Sequence, residues 1–525
     1  MGRLRGAGCL PCPRHPRGGC RRRDPRQLLG PEHSPLHLVG PPGHDRVGGA
    51  TLRQTASGGI MPGLLVQRRG GGGPVPRAPS LEAPLVGRCG LAAHRRRPPR
   101  SRGRRQPGAL RPGGYDGRPA GGPAPAGLVR GHFGVEAGSM NAQERFHAVM
   151  HYMPRDRSPI MDFGFWDETL TIWQAQGYPK GADPDIFFGM DPQWIVAPIN
   201  VHLCPAFPHV VMEERGDQEV VRDHEGVTKL QGKFLGSIPR HLDHTLKDRE
   251  SWEREFRPRL EGGVPARYPA DWPALVEKYR CRDYPLGVNA GSLYGWLRNW
   301  MGLEALSVLV YDDFRLFREM VRTVAQCVID TLRPVLEAGV RFDYALLWED
   351  MCYRVGPLLS PRLFEEVLVP NYRRITDLLG DHGVDIVVVD CDGDITRLAP
   401  LWLEAGVNTM FPIEVGAWGG DPCAFRERHG PSMRLIGGVG KQVLAGPQEA
   451  IAREVERLAP LVEEGGYIPT PDHRVPPDVP LANYLCYLRE ARRVWGKDLP
   501  NLRPMGQPGR PSPHATARYA WHLGE

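Results

Sequence analysis

The chain has 525 residues and a net charge of +7, from 67 Lys and Arg against 60 Asp and Glu, enough length for roughly two or three average domains. No apolar run approaches a membrane span, and eleven scattered cysteines form no disulfide framework, so a membrane protein and a disulfide-built secreted protein are both excluded and a reducing, cytoplasmic setting is expected. The basic balance is no nucleic-acid signal either, because it averages two unlike parts.

Residues 1–139 hold 24 Arg, no Lys, no Trp and six acids, and fifty of them are Gly or Pro. They carry +18, leaving −11 for the rest. Stretches such as RRGGGGPVPRAPS have no helical or strand period and cannot bury enough apolar surface to offset the entropy of ordering. A disordered extension is expected here, even translated upstream sequence ahead of a start at Met140. Cys9-x-x-Cys12 has no second pair and argues against a zinc knuckle. The working unit is residues 140–499, followed by a loose Pro- and Gly-rich tail over 500–525.

Along that unit, SPIMDFG (158–164) reads as a first strand. The region from about 196 to 280, with HLDHTLKDRESWEREF inside it, reads as an insertion over the mouth of the fold. YPLGVNAGS (284–292) is a strand, and Asp312-Asp313 open a long helix to about Leu336. FDYALLWED (342–350) is the next strand. Ser360-Pro361 give an N-cap and a first-position proline to RLFEEVLVPNYRRITDLL, which Pro370 should kink or break. VDIVVVDCD (384–392), GVNTMFPIE (406–414) and MRLIGGVG (433–440) are strands. Gly446-Pro447 open a helix with Ile451, Val455, Leu458 and Val462 on one face, and Gly465 caps it before GGYIPTPDH (465–473). Regular strand–helix alternation predicts parallel strands, and the lack of a G-x-G-x-x-G loop favours an α/β fold of the (β/α)₈ (TIM) barrel type over a dinucleotide fold.

In such barrels the carboxyl ends of strands face the active site. Here they carry Asp162, Asn289, Glu349, Asp350, Asp390, Asp392, Glu414 and His473. Within VVVDCDGDI, a D-x-D at a strand end puts both carboxylates on one side, where they repel unless a cation or proton intervenes. Joined by Glu414 and His473, Asp390 and Asp392 would make a hard ligand set suited to zinc, manganese or iron. Purely structural readings compete: Asp390 as a helix cap, Gly393-Asp394 as a turn, and Glu414 paired with Lys441 or Arg474. Cys391 should point into the wall as a small buried apolar group. Glu349 and Asp350 are expected to contact substrate or its supporting groups. Tyr294, Trp296, Trp300 and Trp348 either line a pocket for a large flat ligand or pack the core.

Several segments, in order, resemble the uroporphyrinogen decarboxylase superfamily: MNAQERFHAVMHYMPRDRSPI, GSLYGWLRNWMGLE, WEDMCYRVGPLLSP, VDCDGDI and GGYIPTPDHRVPPDVPLANYLCYL. The true decarboxylase carries P-x-W-x-M-R-Q-A-G-R where this chain reads SPIMDFGFWDE, and G-F-x-x-x-P-[FYW]-T where it reads GSLYGWLRN. The chain is more similar to the cobalamin-dependent methyltransferases, which hold zinc with a His-x-Cys-Gly strand end and a later Cys before Pro-Pro. On that resemblance the metal positions fall on Asp390, Asp392, Glu414 and His473, with harder groups in place of thiolates. It implies a metal-dependent methyltransferase-like enzyme of corrinoid-linked one-carbon metabolism. Asp162, Glu349 and Asp350 are its catalytic candidates, and Tyr294, Trp296, Trp348 and Lys441 its cofactor-binding ones. A small-molecule substrate, a divalent metal and a corrinoid on a partner protein are the expected company. The alternatives are a tetrapyrrole decarboxylase in which Asp162 stabilises a protonated pyrrole, and a non-catalytic partner of a corrinoid protein.

Overall fold

The first helix, Ala142–Met150, starts from a capping box: Asn141 accepts the Glu144 N–H while Glu144 takes the Asn141 N–H. Its buried Phe146, Val149 and Met150 pack not on a helix but on the interior face of a parallel sheet. The helix lies against the amino ends of the strands. The Val149 carbonyl accepts from Gly466 and the Met150 carbonyl from Arg434, while His147 and His151 pair with Asp343 and Asp385. This computed structural model describes residues 139–233, 239–416, 418–496 and 505. The expected extension and tail lie outside them, apart from Ser139 and Met505.

The 196–280 insertion contains a four-stranded antiparallel meander, β1 (Val210–Arg215), β2 (Gln218–Arg222), β3 (Val227–Gly232) and β4 (Arg240–His244). It is fastened to the helix Gly295–Met301. His244 Nδ1 lies 3.0 Å from the Asn299 carbonyl oxygen, and Asn299 Nδ2 donates to Glu225 Oε2 at 3.3 Å. Gly302, at φ +86°, leaves room for the His244 ring, since a Cβ there would come within 2.8 Å of Nε2.

The main sheet follows: β5 (Gly287–Asn289), β6 (Tyr344–Trp348), a small hairpin of β7 (Cys352–Tyr353) and β8 (Gly356–Pro357), then β9 (Val387–Asp390), β10 (Thr409–Ile413), β11 (Arg434–Val439) and β12 (Tyr467–Pro471). The six long-range strands run parallel in the order β12-β11-β10-β9-β6-β5. Side chains alternate as the pleat requires. Tyr344, Leu346, Ile386, Val388, Phe411, Ile436 and Ile468 join Met161, Phe163 and Trp194 on the inner side, while Ala345, Leu347, Val387, Val389, Met410, Leu435 and Tyr467 face the helices.

The expected eight-stranded closed barrel is thus present as a six-stranded parallel sheet. SPIMDFG is extended but is not a ladder strand. Phe165 makes one parallel bridge to Val475, and Val196 makes another to Gly287 at the free edge of β5. Pro159 has no N–H to give a ladder, and the Asp162 N–H goes to Gln193 Oε1 instead. Among the helices, Ser360 caps as expected. Pro370 is absorbed by a π-helical turn, Phe364–Leu368, so the helix proper resumes at Val369 and runs to Asp381 with the proline in its first turn.

Candidate functional site

Trp348 of β6 pairs in register with Asp390 of β9. Two residues further on, Asp350 and Asp392 stand side by side, and Asp350 Oδ1 accepts the Asp392 N–H at 3.1 Å. Asp350 adopts φ +38°, a left-handed conformation that an Asp tolerates better than most residues and that turns its carboxylate toward β9. One oxygen from each of Asp350, Asp390 and Asp392 can be chosen so that all lie within 4.8 Å of one another.

The cluster is electrostatically loaded. Burial, then the charge of Asp392, pushes the Asp350 carboxyl up to about 7. Asp390 is raised well above the usual range by burial and by both neighbouring aspartates. Glu414 is raised by burial and by Asp392. His473 Nε2 sits 3.3 Å from Asp392 Oδ2, its ring stacked 5.9 Å from Trp166 and edge-on to Phe163 at 5.1 Å. Glu414 Oε1 lies 3.4 Å from Lys441 Nζ, and Oε2 accepts the Gly393 N–H at 2.8 Å. Gly393 must be glycine: its φ is +87°, and a Cβ would fall 2.7 Å from the Cys352 carbonyl carbon.

Two other carboxylates at the same level serve the backbone. Glu349 is fully buried. Its oxygens accept the N–H groups of Leu293, Tyr294 and Gly295 at 2.7, 2.9 and 3.0 Å, with the Ser292 and Tyr372 hydroxyls at 3.2 and 2.6 Å. Asp472 accepts from Val415 and Gly416 on one oxygen and from Lys441 N–H on the other. Glu349 thereby fixes the turn into the helix that carries Arg298, and Asp472 fixes the turns that carry Glu414 and Lys441.

Of the residues anticipated as the metal set, the structure brings Asp390 and Asp392 together, adds Asp350, sets His473 against Asp392, and engages Glu414 with Lys441 and Gly393. Asp162 is not among them. It is out of phase with Met161 and Phe163, so it is turned into the helical layer, where Oδ2 accepts from Tyr484 at 3.0 Å. Tyr294 and Trp296 are core groups, the former with its phenol pushed up to about 12 by burial; Trp348 alone of the flat-ligand candidates is half-exposed at the mouth. Cys391 is buried in the wall as its phase requires. Sequence reasoning missed Arg298, which donates to the Asp350 carbonyl with its guanidinium 5.5 Å from the Trp348 ring, and it missed Asp472. A signal for Asp350 was present: it stands two residues past an inward position of β6, as Asp392 does past β9.

A divalent cation suits this donor set. The oxygens crowd together, protonation of Asp350 and Asp390 is favoured by burial and then by the neighbouring aspartates, and Asp392 Oδ1 is buried without a hydrogen bond among the described residues. Carboxylates with one imidazole form a hard set.

Comparison with known proteins falls on the same region. Residues 268–494 match the family model described as Uroporphyrinogen decarboxylase (URO-D). No curated protein matches the chain. Among solved structures, a methyltransferase from Methanosarcina mazei is 13% identical with a TM-score of 0.42, over 68% of this chain and 99% of its own. A protein assigned as a vitamin-B12-independent methionine synthase from Listeria monocytogenes is 13% identical with a TM-score of 0.28, over 45% and 71%. Residues 268–494, the stretch that resembles the uroporphyrinogen decarboxylase family, hold the three clustered aspartates and both backbone-binding carboxylates.

Proposed function

We propose that this chain is a metal-dependent, methyltransferase-type enzyme acting on a small molecule at the carboxyl ends of β6, β9, β10 and β12, in one-carbon chemistry linked to a corrinoid on a separate carrier protein. The observation that carries the reading is the approach of Asp350, Asp390 and Asp392 to within 4.8 Å, with His473 3.3 Å from Asp392. The correspondence of D-x-D-G here to the H-x-C-G of the metal-dependent branch supports it. The decarboxylase alternative gave its stabilising role to Asp162, which faces the wall.

Asp350, Asp390, Asp392 and His473 would hold zinc, manganese or iron. A divalent metal supplies Lewis-acid activation of the methyl donor or acceptor when bound. The chain's own groups set the stage: Arg298 fixes the backbone of Asp350, Glu414 holds Gly393 and so the turn after Asp392, and Trp166 with Phe163 orients His473. The test is metal content by mass spectrometry on the full chain and on Asp392→Ala and His473→Ala. Near-stoichiometric metal, lost in both variants, is expected. A metal-free parent after supply of zinc, manganese and ferrous iron would sink the reading.

A further inference from the structure

The turn between β2 and β3 aims one carboxylate of the insertion at the helix that serves the acid cluster. Asp223 Oδ1 accepts the N–H groups of Glu225 and Val227 at 3.0 and 2.9 Å, and Gly226, at φ +77°, completes the turn with its carbonyl bonded by Thr245. Glu225 thereby meets one face of the helix Gly295–Met301. Its Oε2 accepts from Asn299 Nδ2 at 3.3 Å. Its Oε1 lies 3.1 Å from Nε2 of His202, whose ring stands edge-on to Trp296 and Trp300 at 4.6 and 5.4 Å. Trp296, Asn299 and Trp300 are spaced as neighbours on one helix face.

Arg298 carries the contact onward. It donates to Asn299 Oδ1 at 3.3 Å from one nitrogen and to the Asp350 carbonyl from another. The Asn299 amide is the junction. Giving its Nδ2 to Glu225 fixes which way round the amide sits, so that its oxygen, not its NH₂, is turned to the guanidinium. Asp350 needs a hold of this kind, because φ +38° is a conformation that a non-glycine residue keeps only where its surroundings over-determine it. Its carboxylate in turn accepts the Asp392 N–H at 3.1 Å. Glu225, Asn299, Arg298 and Asp350 thus join the insertion to the two strand ends that bear the clustered acids. His244 fastens the same helix by another route, to the Asn299 carbonyl and not to its side chain.

We infer that Glu225 is a positioning residue for the acid cluster: by orienting the Asn299 amide it lets Arg298 hold Asp350 in place beside Asp392. Its consequence for metal affinity rests on the metal-enzyme reading, and it goes beyond that reading by making the insertion part of the site.

The test compares the full chain as parent, Glu225→Ala, Glu225→Gln, Asn299→Ala and His244→Ala, with melting temperature measured on each. On metal-free samples, hydrogen exchange read by mass spectrometry follows peptides covering residues 391–394, which lie outside the insertion. Exchange there should rise at least about fivefold in Glu225→Ala and in Asn299→Ala, and the double variant should be no worse than either one. Glu225→Gln keeps an acceptor for Asn299 and should restore most of the protection, while His244→Ala should leave it unchanged. Cobalt(II), titrated by its visible absorption, should bind about tenfold more weakly to Glu225→Ala and with a shifted band. Unchanged exchange or unchanged cobalt affinity in Glu225→Ala overturns the inference. So does failure of Glu225→Gln to rescue, or an equal rise in His244→Ala, which would mean that the insertion had merely loosened. Should Glu225→Ala not fold, Asn299→Ala against Glu225→Gln decides in the same way. A parent that takes up no cobalt sinks the metal reading alone, since the exchange comparison needs no metal.

Discussion

Glu349 and Asp350 are neighbours in the chain and opposites in circumstance. Glu349 is buried among five donors, three of them backbone N–H groups, so its charge is solvated by the protein itself. Asp350 faces two other aspartates and receives one N–H. Burial raises both carboxyls, so burial does not separate an acid held by donors from one held among like charges. What separates them is whether the neighbours donate or repel. Asp472 belongs with Glu349 on this criterion, and Asp390 with Asp350.

That contrast can be broken by substitution. Glu349→Ala strands several buried donors at once and should cost on the order of 4 kcal/mol in urea denaturation; a near-neutral result would remove Glu349 from the anchoring class. The repelling acids should instead show in the pH dependence of the metal-free chain. The native state binds protons more tightly there than the unfolded state does, so stability should fall as pH rises from the usual carboxylate range to about 7. Saturating divalent metal should flatten the slope, and denaturation curves from about pH 5 to about pH 8 would show it. Asp390→Asn should remove metal binding yet raise metal-free stability by about 1 kcal/mol, as relief of like charge predicts. A loss of stability would mean that Asp390 is an anchor after all. Asp162→Asn weakens a bond to Tyr484 in the wall and should cost about 1 kcal/mol without altering metal content.

The sequence reading succeeded where one strand's period decides the answer. β5, β6, β9, β10, β11 and β12 all fall inside the apolar runs that announced them, and the D-x-D of β9 has the phase that a period of two demands. It failed where pairing between strands decides. SPIMDFG has strand composition, but Pro159 and the diversion of the Asp162 N–H to Gln193 leave it without a ladder, and the same phase that sends Met161 inward sends Asp162 to Tyr484. Likewise, Asp350 joins Asp392 only through the register of β6 on β9. The role of Glu349 depends on a turn more than fifty residues earlier, at Leu293 to Gly295. The meander in the insertion went unread because β1 is exposed along its whole length and shows no inward side.

The helix Ala142–Met150 has one more consequence. With Phe146, Val149 and Met150 among the side chains that pack the inner face of the sheet, that face is filled with apolar side chains. The helix thereby fills the amino-end side of the sheet, while the three aspartates stand at the opposite, carboxyl ends of its strands.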